Sequence, residues 1–121
     1  MRKMVLVVED QDDNRRIVRD LLINNGFDVV EATNGLKGVE LAQAHHPDLI
    51  LMDIQIPGID GYEATRRIKT DPKLRDIPLI VVTSYALDGD DKKAFEAGCD
   101  AYVAKPYSPR KLLAQIRSFL Q

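Results

Sequence analysis

The chain predicts an α/β fold, a three-layer sandwich in which a parallel five-stranded sheet of order 2-1-3-4-5 lies between two layers of helices. Three observations carry this expectation. Five short apolar runs, 4–8, 29–32, 49–52, 79–82 and 101–104, have strand length and alternate with segments of helical periodicity, a β-α rhythm repeated five times. Runs such as Leu49-Ile50-Leu51-Met52 are apolar at every position, as expected when helices cover both faces of a strand. Right-handed crossovers then restrict the winding, and five strands with helices on both faces fit that order.

The elements follow in turn. After the first strand, Ile17, Val18, Leu21 and Leu22 mark a helix that Gly26 closes as its C′ residue. After the second, Leu36, Val39, Leu41 and Ala42 mark a helix stopped by Pro47. His45 and His46 at its end suit the negative end of the helix dipole better than a metal or phosphohistidine site. The third strand precedes a helix carrying Tyr62, Thr65 and Ile68 and stopped by Pro72, and the fourth precedes Ala94, Phe95 and Ala97 with Gly98 as C′ residue. Beyond the fifth strand, Ser108 reads as an N-cap and Pro109 as the first residue of a helix bearing Leu112, Leu113, Ile116 and Leu120. The whole is a flavodoxin-like (βα)5 arrangement.

Composition narrows the function. A chain of 121 residues is the size of one folding unit, here the domain 1–121. Seventeen basic against 19 acidic residues, for a formal charge of −2, leave no basic footprint for nucleic acid. The apolar run after Met1-Arg2-Lys3 is too short for a signal peptide or membrane span, and the single cysteine, Cys99, cannot form an internal disulfide. These features point to the cytoplasm, with no membrane partner and with Cys99 as an inert packing thiol. There is no internal repeat or linker, and the last helix is expected to run to the final residue, so no output domain is expected.

In open α/β sheets ligands bind outside the carboxyl ends of the strands, where the strand order reverses. Those ends carry Glu9-Asp10 after strand 1, Asp53 after strand 3, Thr83-Ser84 after strand 4 and Lys105-Pro106 after strand 5. Singly, each has a structural explanation as a cap, loop acid, strand former or surface charge. Together they form a complementary set on one edge. Two carboxylates about 4 Å apart repel by roughly 4 kcal/mol at an effective dielectric of about 20, and one lysine does not cancel three acids. Protonation or a cation must relieve that repulsion, and an all-oxygen set suits a hard ion, Mg2+, that shares its ligands with phosphate.

An aspartate surrounded by Mg2+, a lysine and a hydroxyl suits phosphoryl transfer, in which positioning and charge neutralisation dominate. Asp53 would attack phosphorus. Asp10, Asp53 and Glu9, the last through water, would hold the metal, while Lys105 and the Thr83 hydroxyl would each meet a phosphoryl oxygen. A nucleotide-binding enzyme on the same fold would need a Gly- or Ser/Thr-rich loop after strand 1, where this chain has Glu9-Asp10-Gln11-Asp12-Asp13. An aspartyl-phosphate hydrolase would need an acid close behind its nucleophile, where Ile54, Gln55 and Ile56 stand.

The stretches VLVVEDQDDN, DLILMDIQIPGIDGYE, LIVVTSYA and AYVAKPYSPRKL resemble, over essentially the whole chain, the CheY-like receiver domains of two-component response regulators, most closely the stand-alone DivK-like type. The resemblance implies that a sensor histidine kinase or histidine phosphotransfer protein supplies the phosphoryl group to Asp53. It also implies that the main-chain carbonyl of Gln55 completes the metal ligands, that Lys105-Pro106 is a cis peptide, and that Tyr102 is an aromatic switch residue. Ser84 stands where a smaller alanine is frequent in the family; the bulky Tyr85 follows it and, like Gln55, lies where the resemblance implies that members vary in how long the phosphoryl group persists.

A phosphoryl group adds about −1.5 to −2 charge and three acceptors, a target for Thr83 and Lys105. The stretch Asp88 to Ala97, with glycine in its first turn and few apolar anchors, is the expected mobile helix. The expected output is a downstream protein bound at the face of helix 4, strand 5 and helix 5. Asn14, Arg15 and Val18, outside a core stripe of Ile17 and Leu21, form a candidate docking face, with Arg15-Arg16 read as solvated.

Overall fold

A computed structural model describes residues 2–83, 90–105 and 107–120. Strands β1 (Met4–Val8), β2 (Asp28–Ala32), β3 (Leu49–Asp53), β4 (Leu79–Thr83) and β5 (Ala101–Ala104) alternate with helices α1 (Asp12–Asn24), α2 (Gly35–His45), α3 (Gly61–Thr70), α4 (Asp90–Ala97) and α5 (Pro109–Leu120). The strands are all parallel and ordered β2-β1-β3-β4-β5. The expected fold and strand order are therefore found.

Alternation along each strand explains why these runs are apolar throughout. Leu6, Val8, Ile50, Met52, Leu79 and Val81 face the layer of α2, α3 and α4, where they meet Val39, Ala64, Ile68 and Ala94. Val5, Val7, Leu49, Leu51, Ile80 and Val82 face the layer of α1 and α5, where they meet Leu22, Leu112, Leu113 and Ile116. Each fully buried Leu or Ile of this kind contributes about 1.5–3 kcal/mol relative to exposure. Successive side chains of a strand point to opposite faces, so a polar residue at any internal position would enter one core or the other.

The helix ends obey local chemistry. Asn34 and Asp60 cap α2 and α3 by accepting hydrogen bonds from the main-chain N–H groups of Lys37 and Glu63 at 2.8 and 2.9 Å. Gly26 takes φ +90° immediately after α1. His46 follows α2 at φ 46° and its N–H donates to the Ala42 carbonyl. Pro47 and Pro72 stand just beyond α2 and α3, and Pro109 opens α5. Among the described residues, no helix is long and apolar enough to cross a membrane.

One helical face differs from the sequence expectation. Ile17 is 62% exposed, whereas Leu22 is buried and Val18 and Leu21 pack on the core. The inward stripe of α1 therefore runs through Arg15, Val18 and Leu22, at i, i+3 and i+7, and Arg15 belongs to it. The sequence pattern alone admitted either stripe, since Ile17, Val18, Leu21 and Leu22 span both. Packing against β1 and β2 decided between them.

Candidate functional site

Strand register assembles the site. Val8 pairs with Met52, Asp53 with Val82, and Thr83 with Ala104, so Glu9, Asp53, Thr83 and Lys105 emerge side by side at the carboxyl edge of four adjacent strands. The Lys105 N–H donates to the Thr83 carbonyl at 2.7 Å, which extends the β4–β5 ladder up to the lysine. The Glu9 N–H likewise donates to the Ala32 carbonyl at 3.0 Å and fixes the first acid against β2.

Carboxylate oxygens of Glu9, Asp10 and Asp53 lie within 4.8 Å of one another. Glu9 and Asp53 are buried, whereas Asp10 is open to solvent on one side. Lys105 Nζ sits between the two buried acids, 2.9 Å from Glu9 Oε1 and 3.4 Å from Asp53 Oδ2. Burial disfavours the ammonium, but its hydrogen bond to Glu9 and the charges of Asp53 and Glu9 outweigh this and raise the Lys105 pKa. One ammonium facing three carboxylates leaves two negative charges uncompensated among these four groups. The all-oxygen donor set and its span suit a small hard cation, so the residues present fit Mg2+.

The turn after β3 aims Asp53. The main-chain N–H of Gln55 donates to Asp53 Oδ1 at 3.1 Å, and the N–H groups of Ile56 and Gly61 donate to the Ile54 carbonyl. Gly61, the first residue of α3, lies so close that a Cβ there would meet the Asp53 carbonyl oxygen and the Ile54 Cα. The helix start and the acidic strand end therefore touch through backbone, which only glycine permits.

Thr83 is fully buried at the same edge, and Tyr102 is half-buried two pairs back along β5, packed against the α3/α4-side core. Gln55 is exposed beside Asp53. All seven candidate residues, Glu9, Asp10, Asp53, Gln55, Thr83, Tyr102 and Lys105, thus lie in or beside one edge of the sheet. Ser84, Tyr85 and Pro106, and with Pro106 the Lys105-Pro106 peptide geometry, lie outside the described residues, as do the first two residues of the stretch expected to form the mobile helix.

Two neighbours were not anticipated. Tyr107 lines an open cavity of about 590 Å3 that runs from Asp53 and Lys105 between α1 and α5, and burial raises the pKa of its phenol. Arg15, expected to be solvated, is 15% exposed in its side chain and is tied by hydrogen bonds to Asp12, Glu31 and the main chain of Glu9 and Asp10. Its signal in the sequence was a charge on the inward stripe of α1. Arg16, at 60% exposure, matches the solvated expectation.

The family model of the response regulator receiver domain matches residues 5–117. The chain belongs to the response regulator receiver domain family. The DivK polar-differentiation response regulator of Brucella ovis is 43% identical over 120 residues, covering 99% of this chain and 98% of the relative. The Brucella anthropi DivK is also 43% identical over 120 residues. Among solved structures, a response regulator from Chloroflexus aurantiacus superposes with a TM-score of 0.94 at 28% identity, covering 99% of this receiver domain and 98% of the other chain. The receiver domain of a Pseudomonas aeruginosa sensor histidine kinase superposes with a TM-score of 0.92 at 32% identity, covering 99% and 98% of the two chains, and holds a magnesium ion in its active-site cleft. The receiver reading drawn from the sequence motifs agrees with these findings, and the chain is a signalling module of the two-component class.

Proposed function

We propose that this receiver domain is a switch whose Asp53 carboxylate accepts a phosphoryl group from a phosphohistidine of a sensor histidine kinase or histidine phosphotransfer protein. The observation that carries the proposal is a buried aspartate held between a lysine ammonium and two further carboxylates at the carboxyl edge of the sheet. A carboxylate oxygen of Asp53 attacks phosphorus, the P–N bond of the donor breaks with its electron pair returning to the imidazole, and an acyl phosphate forms. The turn at Gln55 and Gly61 orients Asp53 for this attack.

Glu9, Asp10, Asp53 and the main-chain carbonyl of Gln55 would hold Mg2+. That ion supplies the positive charge that an incoming phosphoryl group needs in a site already carrying three acids. Lys105 supplies the remaining cation: on phosphorylation its ammonium exchanges Glu9 and the Asp53 carboxylate for a phosphoryl oxygen. The Thr83 hydroxyl would bond another. The chemistry of this reading is the chain's own phosphorylation and the hydrolysis that later removes the phosphoryl group to water.

The output follows from charge. A phosphoryl group of about −1.5 to −2 draws Thr83 and Lys105 towards it, and Tyr102 follows along β5. The face of α4, β5 and α5 then changes its affinity for a downstream protein. Short α4 carries Phe95 at 52% exposure, an apolar residue available to a partner. Action in the cytoplasm belongs to the same proposal.

Incubation with acetyl phosphate and Mg2+, followed by intact mass measurement, tests the reading. A labile phosphoryl adduct on the wild type, absent from Asp53→Asn, is the expected result. No adduct from either acetyl phosphate or a phosphorylated kinase would overturn it.

A further inference from the structure

The guanidinium of Arg15 grips the loop that carries the acidic pair. Nη1 donates to the Glu9 carbonyl at 3.0 Å and reaches the Asp10 carbonyl at 3.5 Å, Nη2 meets Asp12 Oδ1 at 2.6 Å, and Nε meets Glu31 Oε1 at 3.2 Å. One planar fork thereby joins the end of β1, the first turn of α1 and the edge strand β2. Arg19 Nη1 adds a longer contact to the same Glu31 oxygen at 3.8 Å. The Asp12 hydrogen bond outweighs the cost of burial and, with the charges of Asp12 and Glu31, raises the Arg15 pKa.

We infer that Arg15 is a positioning residue for the cation site: by holding the carbonyls of Glu9 and Asp10 it fixes the two peptide planes from which those carboxylates project, so that the acids are arranged before the cation arrives. This inference rests on the proposed Mg2+ site. Its physical content lies in the sign of the effect. A positive charge near a cation site weakens metal binding by repulsion, so an Arg15 acting only as a charge would give tighter binding when removed. Arg15 acting through geometry gives weaker binding when removed, because the loop must then be ordered at the expense of binding energy.

Side chains that orient metal ligands through hydrogen bonds typically alter metal affinity by about 10- to 100-fold when lost. Asp12 and Glu31 already balance the guanidinium, which diminishes its direct repulsion of a cation. The geometric effect is therefore the larger of the two. Lysine retains the charge but has no planar fork with which to span two carbonyls and two carboxylates. Arg15→Lys therefore separates geometry from charge.

The test is Mg2+ titration by calorimetry of the wild type, Arg15→Lys, Arg15→Gln and Glu31→Gln, with amide exchange of residues 9–13 and thermal melting measured on the same proteins. The expected result is Mg2+ affinity about tenfold lower in both Arg15 variants, a smaller loss in Glu31→Gln, and faster exchange at residues 9–13 at temperatures where every protein is folded. Phosphorylation by acetyl phosphate would then need more Mg2+ for half its maximal rate, with the rate at saturating Mg2+ close to wild type. Unchanged or tighter Mg2+ binding in Arg15→Lys, with the wild type binding normally, overturns the positioning role and leaves the metal site standing. Absence of Mg2+ binding by the wild type overturns both. Should the Arg15 variants not fold, Glu31→Gln decides: unchanged affinity and exchange overturn the inference.

Discussion

Replacing Gly61 by alanine should damage both the stability of the protein and the aim of Asp53. The added Cβ would lie 2.6 Å from Ile54 Cα and closer still to the Asp53 carbonyl oxygen. Ordinary contact begins at 3.4 Å, so the start of α3 must retreat by about 0.8 Å to clear the Ile54 Cα and further to clear the Asp53 carbonyl oxygen, and neither obstacle is a side chain that can rotate away. Alanine also narrows the unfolded ensemble and favours the helix, which contributes about 0.5–1 kcal/mol in the opposite direction. Overpacking against backbone costs about 1–3 kcal/mol, so the net destabilisation is about 1–2 kcal/mol, or roughly 4–8 °C in Tm for a domain of this size. Because the displaced peptide carries Asp53, the initial rate of phosphorylation by acetyl phosphate should fall by about 10- to 100-fold. Gly26→Ala is the control: it has open space around the new methyl but φ +90°, so it should lose about 1–2 kcal/mol through backbone strain with phosphorylation unchanged. Thermal melts and initial rates measured side by side give the answer. A Gly61→Ala protein as stable as wild type would show that the backbone contact between α3 and β3 is not limiting.

Other perturbations probe different parts. Lys105→Met should abolish most phosphorylation and should also lower stability near neutral pH, since Glu9 and Asp53 then share buried space without a cation. Because the folded protein raises the Lys105 pKa, its stabilising contribution is fully present below the unfolded lysine value near ~10.4 and is lost as pH rises through the higher folded value. Urea titrations should therefore find the gap between wild type and Lys105→Met closing in that alkaline range, and a gap independent of pH would contradict the assignment. Burial, reinforced by the Asp100 charge, pushes the Cys99 thiol up from 9.0 to about 11. Its contribution to stability is present below the unfolded thiol value and falls away up to pH about 11, by about 3 kcal/mol in all; folded protein should resist alkylation at pH 9 while urea-unfolded protein reacts readily. Lys69 Nζ binds the Arg75 and Ile77 carbonyls at 3.0 and 2.7 Å and Asp100 Oδ2 at 2.7 Å, so Lys69→Met should cost about 1–3 kcal/mol in urea unfolding without altering Mg2+ binding. Ile68→Ala, fully buried in the core between α3 and the sheet, should cost about 2–5 kcal/mol in the same assay.

Much of this protein was legible in sequence because its signals are local and repeated. Leu49-Ile50-Leu51-Met52 could be read as a doubly covered strand since every residue of a central parallel strand enters one core or the other, and the residues do so here. Gly26, Pro47, Pro72 and Pro109 marked helix ends because φ preferences and a missing N–H act within a few residues. The acids, threonine and lysine could be placed on one edge because crossover handedness limits how five βα units wind, and strand ends in a parallel sheet then converge.

Other features needed the fold itself. Ile17 and Arg15 exchanged the roles their chemistry suggested: an apolar residue stands in solvent while a guanidinium points inward. A helix of this length offers two adjacent stripes, and the choice between them depends on how α1 rolls against β1 and β2. No residue of α1 encodes that rotation alone. Gly61 could be seen as a glycine behind Asp53, but the reason for it, a helix start lying against the backbone of β3, exists only once both elements are docked. Lys105 reaching Glu9 more closely than Asp53 is likewise a matter of tertiary geometry, with 96 and 52 residues of chain separating the partners. Sequence by itself determined which chemical groups this receiver domain has and on which edge they gather, because periodicity and chain direction are local properties. Tertiary structure alone decided which atoms touch and which side chain steadies the acidic loop, because helix rotation and side-chain reach depend on packing summed over the whole chain.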